Sequence, residues 1–188
     1  MPDLATRREP LDGLAPITAR SRLTIAAAPN GCRLVFRGPD SAAAAAGQAF
    51  GLAFPEVLNT AATNGARTAF KLGPDEWLLL GPVDEEANIY ASIEAAVQEP
   101  HSLVDVSHRN VAILVDGALA ADVLNVGIML DLDLAAFPVG MATRTVFAKT
   151  EIVLWRKGAM SFHVEVWRSF APYLHGLLTE ASLEYVKD

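Results

Sequence analysis

The feature that most constrains this chain is that it reads as though written twice. "RTAFKLGPDEWLLLG" (67–81) and "RTVFAKTEIVLWR" (144–156) share Arg-Thr-x-Phe, a short polar break and an apolar run around a Trp. The offset is 144 − 67 = 77 between Arg67 and Arg144, and 155 − 77 = 78 between Trp77 and Trp155. The likeness continues upstream. "LVFRGPDSAAAAAGQAFGLAFP" lies over "ILVDGALAADVLNVGIMLDLDLAAFP": strand, Gly, small-residue helix, then Phe54-Pro55 and Phe137-Pro138. Each copy then reaches its Arg-Thr-x-Phe strand. The expectation is an α+β fold of two repeated β-α-β-β-α-type units packed together, with antiparallel or mixed sheets. The units are residues 22–100 and 101–188, behind an irregular N-terminal arm, 1–21. The Arg-Thr-x-Phe and Trp positions are expected on equivalent strands, as strand chemistry rather than a duplicated site.

Local signals fill in the units. "RLTIAAA" and "CRLVFRG" flank the turn Pro29-Asn30-Gly31, and "RTAFKLG" and "EWLLLG" flank Gly73-Pro74-Asp75. A helix begins at Asp40 or Ser41 as N-cap, runs through the Ala tract and ends at Gly51. A second is capped by Asp84, lines Ile89, Ile93 and Val97 on one face, and stops at Pro100. In the second half "SLVDVS", "NVAILVDG", "ATRTVFAK" and "EIVLWR" read as strands and "GALAADVLNVG" as a short helix. "SFHVEVW" alternates, with Phe162, Val164 and Val166 facing one way and His163, Glu165 and Trp167 the other. The closing helix takes Ser169 as N-cap and Phe170, Tyr173, Leu174, Leu177, Leu178 and Ala181 as its apolar stripe.

Composition excludes several function classes. The chain has 188 residues and a net charge of −7, which argues against nucleic acid or an anionic membrane surface as partner. Apolar residues make up 52%, enough for a core with surplus to bury against a partner. The one Cys, Cys32, rules out an internal disulfide and suits a reducing compartment. No apolar leader and no ~18-residue apolar run appear, so a cytoplasmic location is expected.

Candidate chemistry is sparse. Asp105, Ser107 and His108 are triad residue types, but strand alternation separates His108 from the other two, so they read as strand-end hydrogen bonding. His163 and Glu165 share a strand face with no third metal ligand in view. Asp131 and Asp133 in "LDLDL" read as a solvated loop. No phosphate-binding glycine loop is present. The expectation is no catalytic, cofactor-binding or metal residues in this chain. The interface candidates are Trp77, Trp155, Arg156, Trp167 and Arg168, because Trp and Arg are enriched at binding hot spots.

"LGPDEWLLLGP", "VDVSHR", "LDLDLAAFPVGMATRT" and "WRSFAPYLHGLL", in that order, resemble the gamma subunit of heterotetrameric sarcosine oxidase. "LVDVSHRNVAILVDGALAADVL" is also similar to relatives of glycine-cleavage T-protein, the aminomethyltransferases. The resemblance implies the folate-binding module fold in a non-catalytic subunit beside alpha, beta and delta subunits. It implies sarcosine oxidation to glycine by the complex, with tetrahydrofolate as co-substrate taking the one-carbon unit. FAD, FMN, NAD and zinc are then expected on the other subunits. T-protein relatives carry an Asp-Asp pair before an Ile-Val strand; here Thr150-Glu151 precedes Ile152-Val153, which speaks against aminomethyl transfer. The alternatives are a free-standing folate-binding, aminomethyltransferase-like protein, or the matching subunit of an N-methylglutamate dehydrogenase complex.

Overall fold

Period-two alternation builds most of the chain. A computed structural model describes residues 9–19 and 22–186. In chain order the elements are β1 (Ile17–Ala19), β2 (Leu23–Ala27), β3 (Cys32–Arg37), α1 (Asp40–Phe50), β4 (Ala61–Asn64), β5 (Arg67–Gly73), β6 (Glu76–Gly81) and α2 (Glu86–Ala96). There follow β7 (Ser102–Asp105), β8 (Asn110–Asp116), α3 (Ala120–Asn125), β9 (Ala142–Phe147), β10 (Thr150–Gly158), β11 (Ser161–Trp167) and α4 (Ala171–Val186). The strands form a six-stranded sheet, β1-β2-β8-β11-β10-β9, and a five-stranded sheet, β4-β5-β6-β3-β7. Every pairing is antiparallel.

The two faces of each sheet have different jobs. Phe162, Val164 and Val166 of β11 join Ile152 and Leu154 of β10 in a core under α3 and α4. Cys32, Leu34 and Phe36 of β3 join Trp77 and Leu79 of β6 in a second core under α1 and α2. Phe70, Leu78, Val106, Val153 and Trp155 form a third core between the sheets. The layers therefore run helices, sheet, sheet, helices, which is the α+β architecture of two similar halves.

Matching strand orders identify the true repeat. Each half runs β-β-α-β-β-β-α, one strand more on either side of the helix than the sequence pattern suggested. The correspondence is β3 with β8, β4 with β9, β5 with β10 and β6 with β11. The leading strands are exchanged: β2, from the first half, pairs with β8, and β7, from the second, pairs with β3. Neither sheet is thus built from one half alone. Paired hairpins fix the register. Lys71 faces Trp77 just before a bulge in β5, and Arg156 faces Phe162 just before a bulge in β10. The offsets agree, 156 − 71 = 85 and 162 − 77 = 85. Corresponding residues also meet each other, as they do on a two-fold axis. Phe70 lies 5.3 Å from Trp155, ring to ring, and Thr60 bridges Met141. Ala61 N–H donates to Gly140 O at 2.8 Å, and Ala142 N–H to Asn59 O at 3.0 Å.

This register overturns the match that suggested the repeat. Arg67 begins β5 and Arg144 lies in β9, which are not equivalent strands. Phe70 faces the other sheet, whereas Phe147 packs on the helix side. Arg67 donates to Phe50 O at 2.5 Å, closing the end of α1, and pairs with Glu85. Arg144 pairs with Glu76 of the opposite sheet at 2.5 Å. Three shared letters on a strand are too weak to set register, because any strand accepts a β-branched and an aromatic residue at alternate positions.

Other local expectations divide. Gly51 ends α1 in a left-handed conformation (φ 74°), and Ile89, Ile93 and Val97 are buried as read. The expected side-chain caps are absent: Pro39 precedes α1, and a 3-10 turn, Val83–Glu85, precedes α2. Of the stripe expected on α4, Leu174 and Leu178 are buried and Leu177 and Ala181 pack partly buried on the core, whereas Phe170 and Tyr173 are exposed; Ala171 and Ser182 complete the buried face. The arm expected at 1–21 lies partly outside the described residues (1–8, 20 and 21). Within it, β1 extends the six-stranded sheet and Leu11 joins the core beneath α4.

Candidate functional site

An ionic cluster sits where the sheets face each other. Alternation in "CRLVFR" turns Cys32, Leu34 and Phe36 toward the helices and so turns Arg33 inward, toward the other sheet. The same rule on β11 turns His163 and Glu165 to meet it. Arg33 Nε donates to Glu165 Oε2 at 2.7 Å, and His163 Nε2 lies 2.7 Å from Glu165 Oε1. Arg33 Nη1 also donates to Gly31 O at 3.1 Å. Burial pushes the Glu165 pKa up, but the His163 hydrogen bond and the Arg33 charge outweigh it and hold the carboxyl below its ordinary value. Glu165 is therefore a buried carboxylate joining the two sheets.

A groove of about 500 Å³ opens beside this cluster, lined by Arg33, Thr68, Trp155, Lys157 and His163 among others. Trp155 packs against His163 with the rings tilted by 54° and their centres 5.9 Å apart, and its indole N–H is buried without a hydrogen-bond partner among the described residues. Glu165 orients His163, but the nearby thiol of Cys32 is pushed up to about 11, chiefly by burial, with Glu86 and Asp105 adding to it. A thiol so protonated is a poor nucleophile at neutral pH.

The triad residue types do not assemble. Ser107 Oγ accepts the Arg33 backbone N–H at 2.9 Å, and Asp105 Oδ1 accepts the Ser107 N–H at 2.8 Å. Burial pushes the Asp105 pKa up, and the Ser107 hydrogen bonds more than offset that, leaving it lowered. His108 is exposed in the same turn, and among the described residues no hydrogen bond links it to Ser107 or Asp105. Asp131 and Asp133 accept backbone N–H groups within their own loop, from Asp133 and Ala135. Among the described residues no group of three His, Cys, Asp or Glu is placed to hold a metal ion.

The five interface candidates separate sharply. Trp77, Trp155 and Arg156 are buried within the chain. Trp77 Nε1 donates to Pro55 O at 2.9 Å, and Arg156 lies over Phe162, 4.3 Å from its ring centre. Trp77 and Trp155 pack within the chain's own cores, and Arg156 is closed over by the carbonyls of Ala159 and Leu132. Trp167 is 43% exposed, with Arg109 5.8 Å from its ring centre. Arg168 pairs with Glu9 at 2.7 Å. Trp167, Phe170 and Tyr173 are spaced three residues apart and are all exposed. The sequence reading missed the Arg33–Glu165 pair, although each stands as a lone charge on the inward face of a well-alternating strand.

Thr150 is buried, and Glu151 is exposed on β10 with Arg144 Nε 3.8 Å away. A cavity lined by Glu151, Arg144 and Glu165 among others holds about 20 Å³, room for roughly one water.

Two facing antiparallel sheets with exchanged leading strands define the class: this is the aminomethyltransferase fold. The glycine cleavage system aminomethyltransferase T from Bartonella henselae superposes with a TM-score of 0.64 at 13% identity, covering 85% of this chain and 46% of that one. The chain belongs to the sarcosine oxidase, gamma subunit family, whose model matches residues 37–184. It is 31% identical to sarcosine oxidase subunit gamma from Corynebacterium sp. (strain P-1) over 147 residues, covering 77% of this chain and 71% of that one. The subunit from Corynebacterium sp. (strain U-96) is also 31% identical, over 144 residues, covering 76% and 69%. A chain of heterotetrameric sarcosine oxidase from Corynebacterium sp. U-96 superposes with a TM-score of 0.86 at 27% identity, covering 96% of both chains.

Proposed function

We propose that this chain is the non-catalytic gamma subunit of a heterotetrameric sarcosine oxidase and stabilises the larger catalytic subunits. The observation that carries this reading is the superposition on a chain of that complex along 96% of both lengths. The partners are alpha, beta and delta subunits. The complex oxidises sarcosine to glycine, and tetrahydrofolate takes the one-carbon unit. FAD, FMN, NAD and zinc sit on the other subunits, in the cytoplasm. Support for a non-catalytic role comes from the site chemistry: a protonated buried thiol, an Asp105–Ser107–His108 turn in which Ser107 is engaged by the Arg33 backbone, and a buried Thr150 at the first position of the Thr150-Glu151 pair. Among the described residues no helix is long and apolar enough to cross a membrane.

Co-expression with the neighbouring subunit genes of the native source, followed by purification on a tag carried by this chain, tests the reading. The expected result is a four-chain complex whose flavin absorbance and sarcosine-dependent turnover travel with the larger subunits, while this chain alone is colourless. Turnover on N-methylglutamate but not sarcosine would move the chain to the related dehydrogenase complex. A chain that purifies alone and binds tetrahydrofolate would sink the subunit reading.

A further inference from the structure

The two halves bury a cation over an aromatic ring at the same place, but only one of these cations is closed over by main-chain carbonyls. In the second half Arg156 lies over Phe162, donates to Ala159 O at 2.6 Å, and also donates to the carbonyl of Leu132. Leu132 reaches it because 11 residues, 126–136, join α3 to Phe137, and its own side chain is buried in the core. In the first half Lys71 lies over Trp77, 4.6 Å from its ring centre, and is only 7% exposed. Here three residues, 51–53, join α1 to Phe54, and no segment corresponds to the one that carries Leu132. Among the described residues the Lys71 ammonium has no hydrogen-bond acceptor. Its ionic neighbour is Asp40 Oδ1 at 3.6 Å, on a carboxylate whose side chain is 88% exposed. A groove of about 760 Å³ occupies this place, bounded by α1 and floored by Leu52, Phe54, Lys71 and Trp77.

We infer that this groove receives an extended polypeptide segment of a partner subunit, which lays an apolar side chain beside Leu52 and Phe54 and offers a backbone carbonyl to Lys71. The segment around Leu132 is the template: the same fold, at the corresponding position, closes its own cation with a main-chain oxygen and a leucine. The chemistry favours a neutral carbonyl over a free carboxylate, because Asp40 and Glu56 both line the groove and repel an added anion. Among the described residues Lys71 Nζ has only the Asp40 carboxylate at 3.6 Å, so a carbonyl supplied on assembly gives a directional gain beyond apolar burial. This inference rests on the proposal that the chain is a subunit of a larger complex.

The test uses the co-expressed complex, with a photo-crosslinking amino acid at Gln48, which is exposed on the groove wall. The expected result is a crosslink to one peptide of a partner subunit. Lys71→Met should leave the melting temperature of the isolated chain unchanged or raised, yet weaken assembly by about tenfold or more. Ala44→Arg, on the same wall, should weaken assembly without unfolding the chain. An intact complex with no crosslink at Gln48 and full tolerance of Ala44→Arg overturns the groove and leaves the subunit reading standing. Failure of the unmodified chain to join any complex overturns both. A melting temperature that falls in Lys71→Met, with assembly falling only in proportion, makes Lys71 a core residue and rejects the docking role. Tight binding of acetate or glutamate by the isolated chain, lost in Lys71→Met, rejects it too by making the groove a small-carboxylate site.

Discussion

Glu165 ties the two halves together as a buried charge. Its carboxylate lies between the sheets, and two partners, Arg33 and His163, keep it ionised. Removing one member of such a pair strands the other, so Glu165→Ala should cost about 3–5 kcal/mol of unfolding free energy in urea titrations. Arg33→Met with Glu165→Leu should cost much less than the two single substitutions together, since neither leaves a lone charge. Because folding lowers this carboxyl below its ordinary 4.5, its contribution is complete above that pH. It is lost as pH falls through the lower folded value, and the acid limb of the stability curve should flatten in the double variant. Ala148 marks the opposite case, a residue at odds with its conformation: φ is 50° in the turn between β9 and β10. Ala148→Gly should raise stability by about 0.5–1 kcal/mol, read as a higher urea midpoint at unchanged slope. Sequence alone showed which face Glu165 occupies, because alternation is local. It did not show Arg33 as the partner, because 132 residues separate them and only sheet packing brings them together.

At the scale of elements, most strands were legible and their pairing was not. β11 and the β5–β6 hairpin carry their own signals, alternation in one and Gly-Pro-Asp in the other. β4 is signalled too, by Gly65-Ala66 as a two-residue turn into β5, where Gly65 stands first with φ 58°. The Arg-Thr-x-Phe likeness hides that turn by drawing the boundary at Arg67. The exchange of β2 and β7 left no local mark, since a strand reads the same whichever sheet it joins. One glycine does carry the exchange. Gly117 comes directly after β8 with φ 118°, and a Cβ there would lie 2.2 Å from Arg22 O, which itself accepts the Leu119 N–H at 3.1 Å. Gly117→Ala should cost ~2 kcal/mol or more and should loosen β2 first. Hydrogen exchange would show it as faster amides at Leu23–Ala27 than elsewhere in that sheet. Uniform acceleration over all six strands would place the damage elsewhere.

For the whole molecule the question is which surface meets the partner subunits. Three of the exposed aromatic side chains follow one another closely in the chain: Trp167 at 43%, Phe170 at 41% and Tyr173 at 39% exposure. They run from the end of β11 into the start of α4, so a rigid strand and helix hold them in place. Trp167 is on the inward-facing side of β11 with His163 and Glu165, but it lies at the strand's end, past the cover of the other sheet. Its ring is backed by Arg109, and Trp and Arg are among the residue types most enriched in binding hot spots. Large aromatic groups kept half-exposed on rigid elements cost little entropy to dock, which suits an anchor better than a loop would. Trp167→Ala should therefore weaken assembly with the larger subunits by ~2 kcal/mol or more, measured as the concentration dependence of complex formation. The isolated variant should keep a cooperative melt, because the side chain contributes to none of the three buried clusters. If the isolated variant instead loses that melt, and assembly falls only in proportion, Trp167 serves the fold and the anchor lies on another face of the molecule.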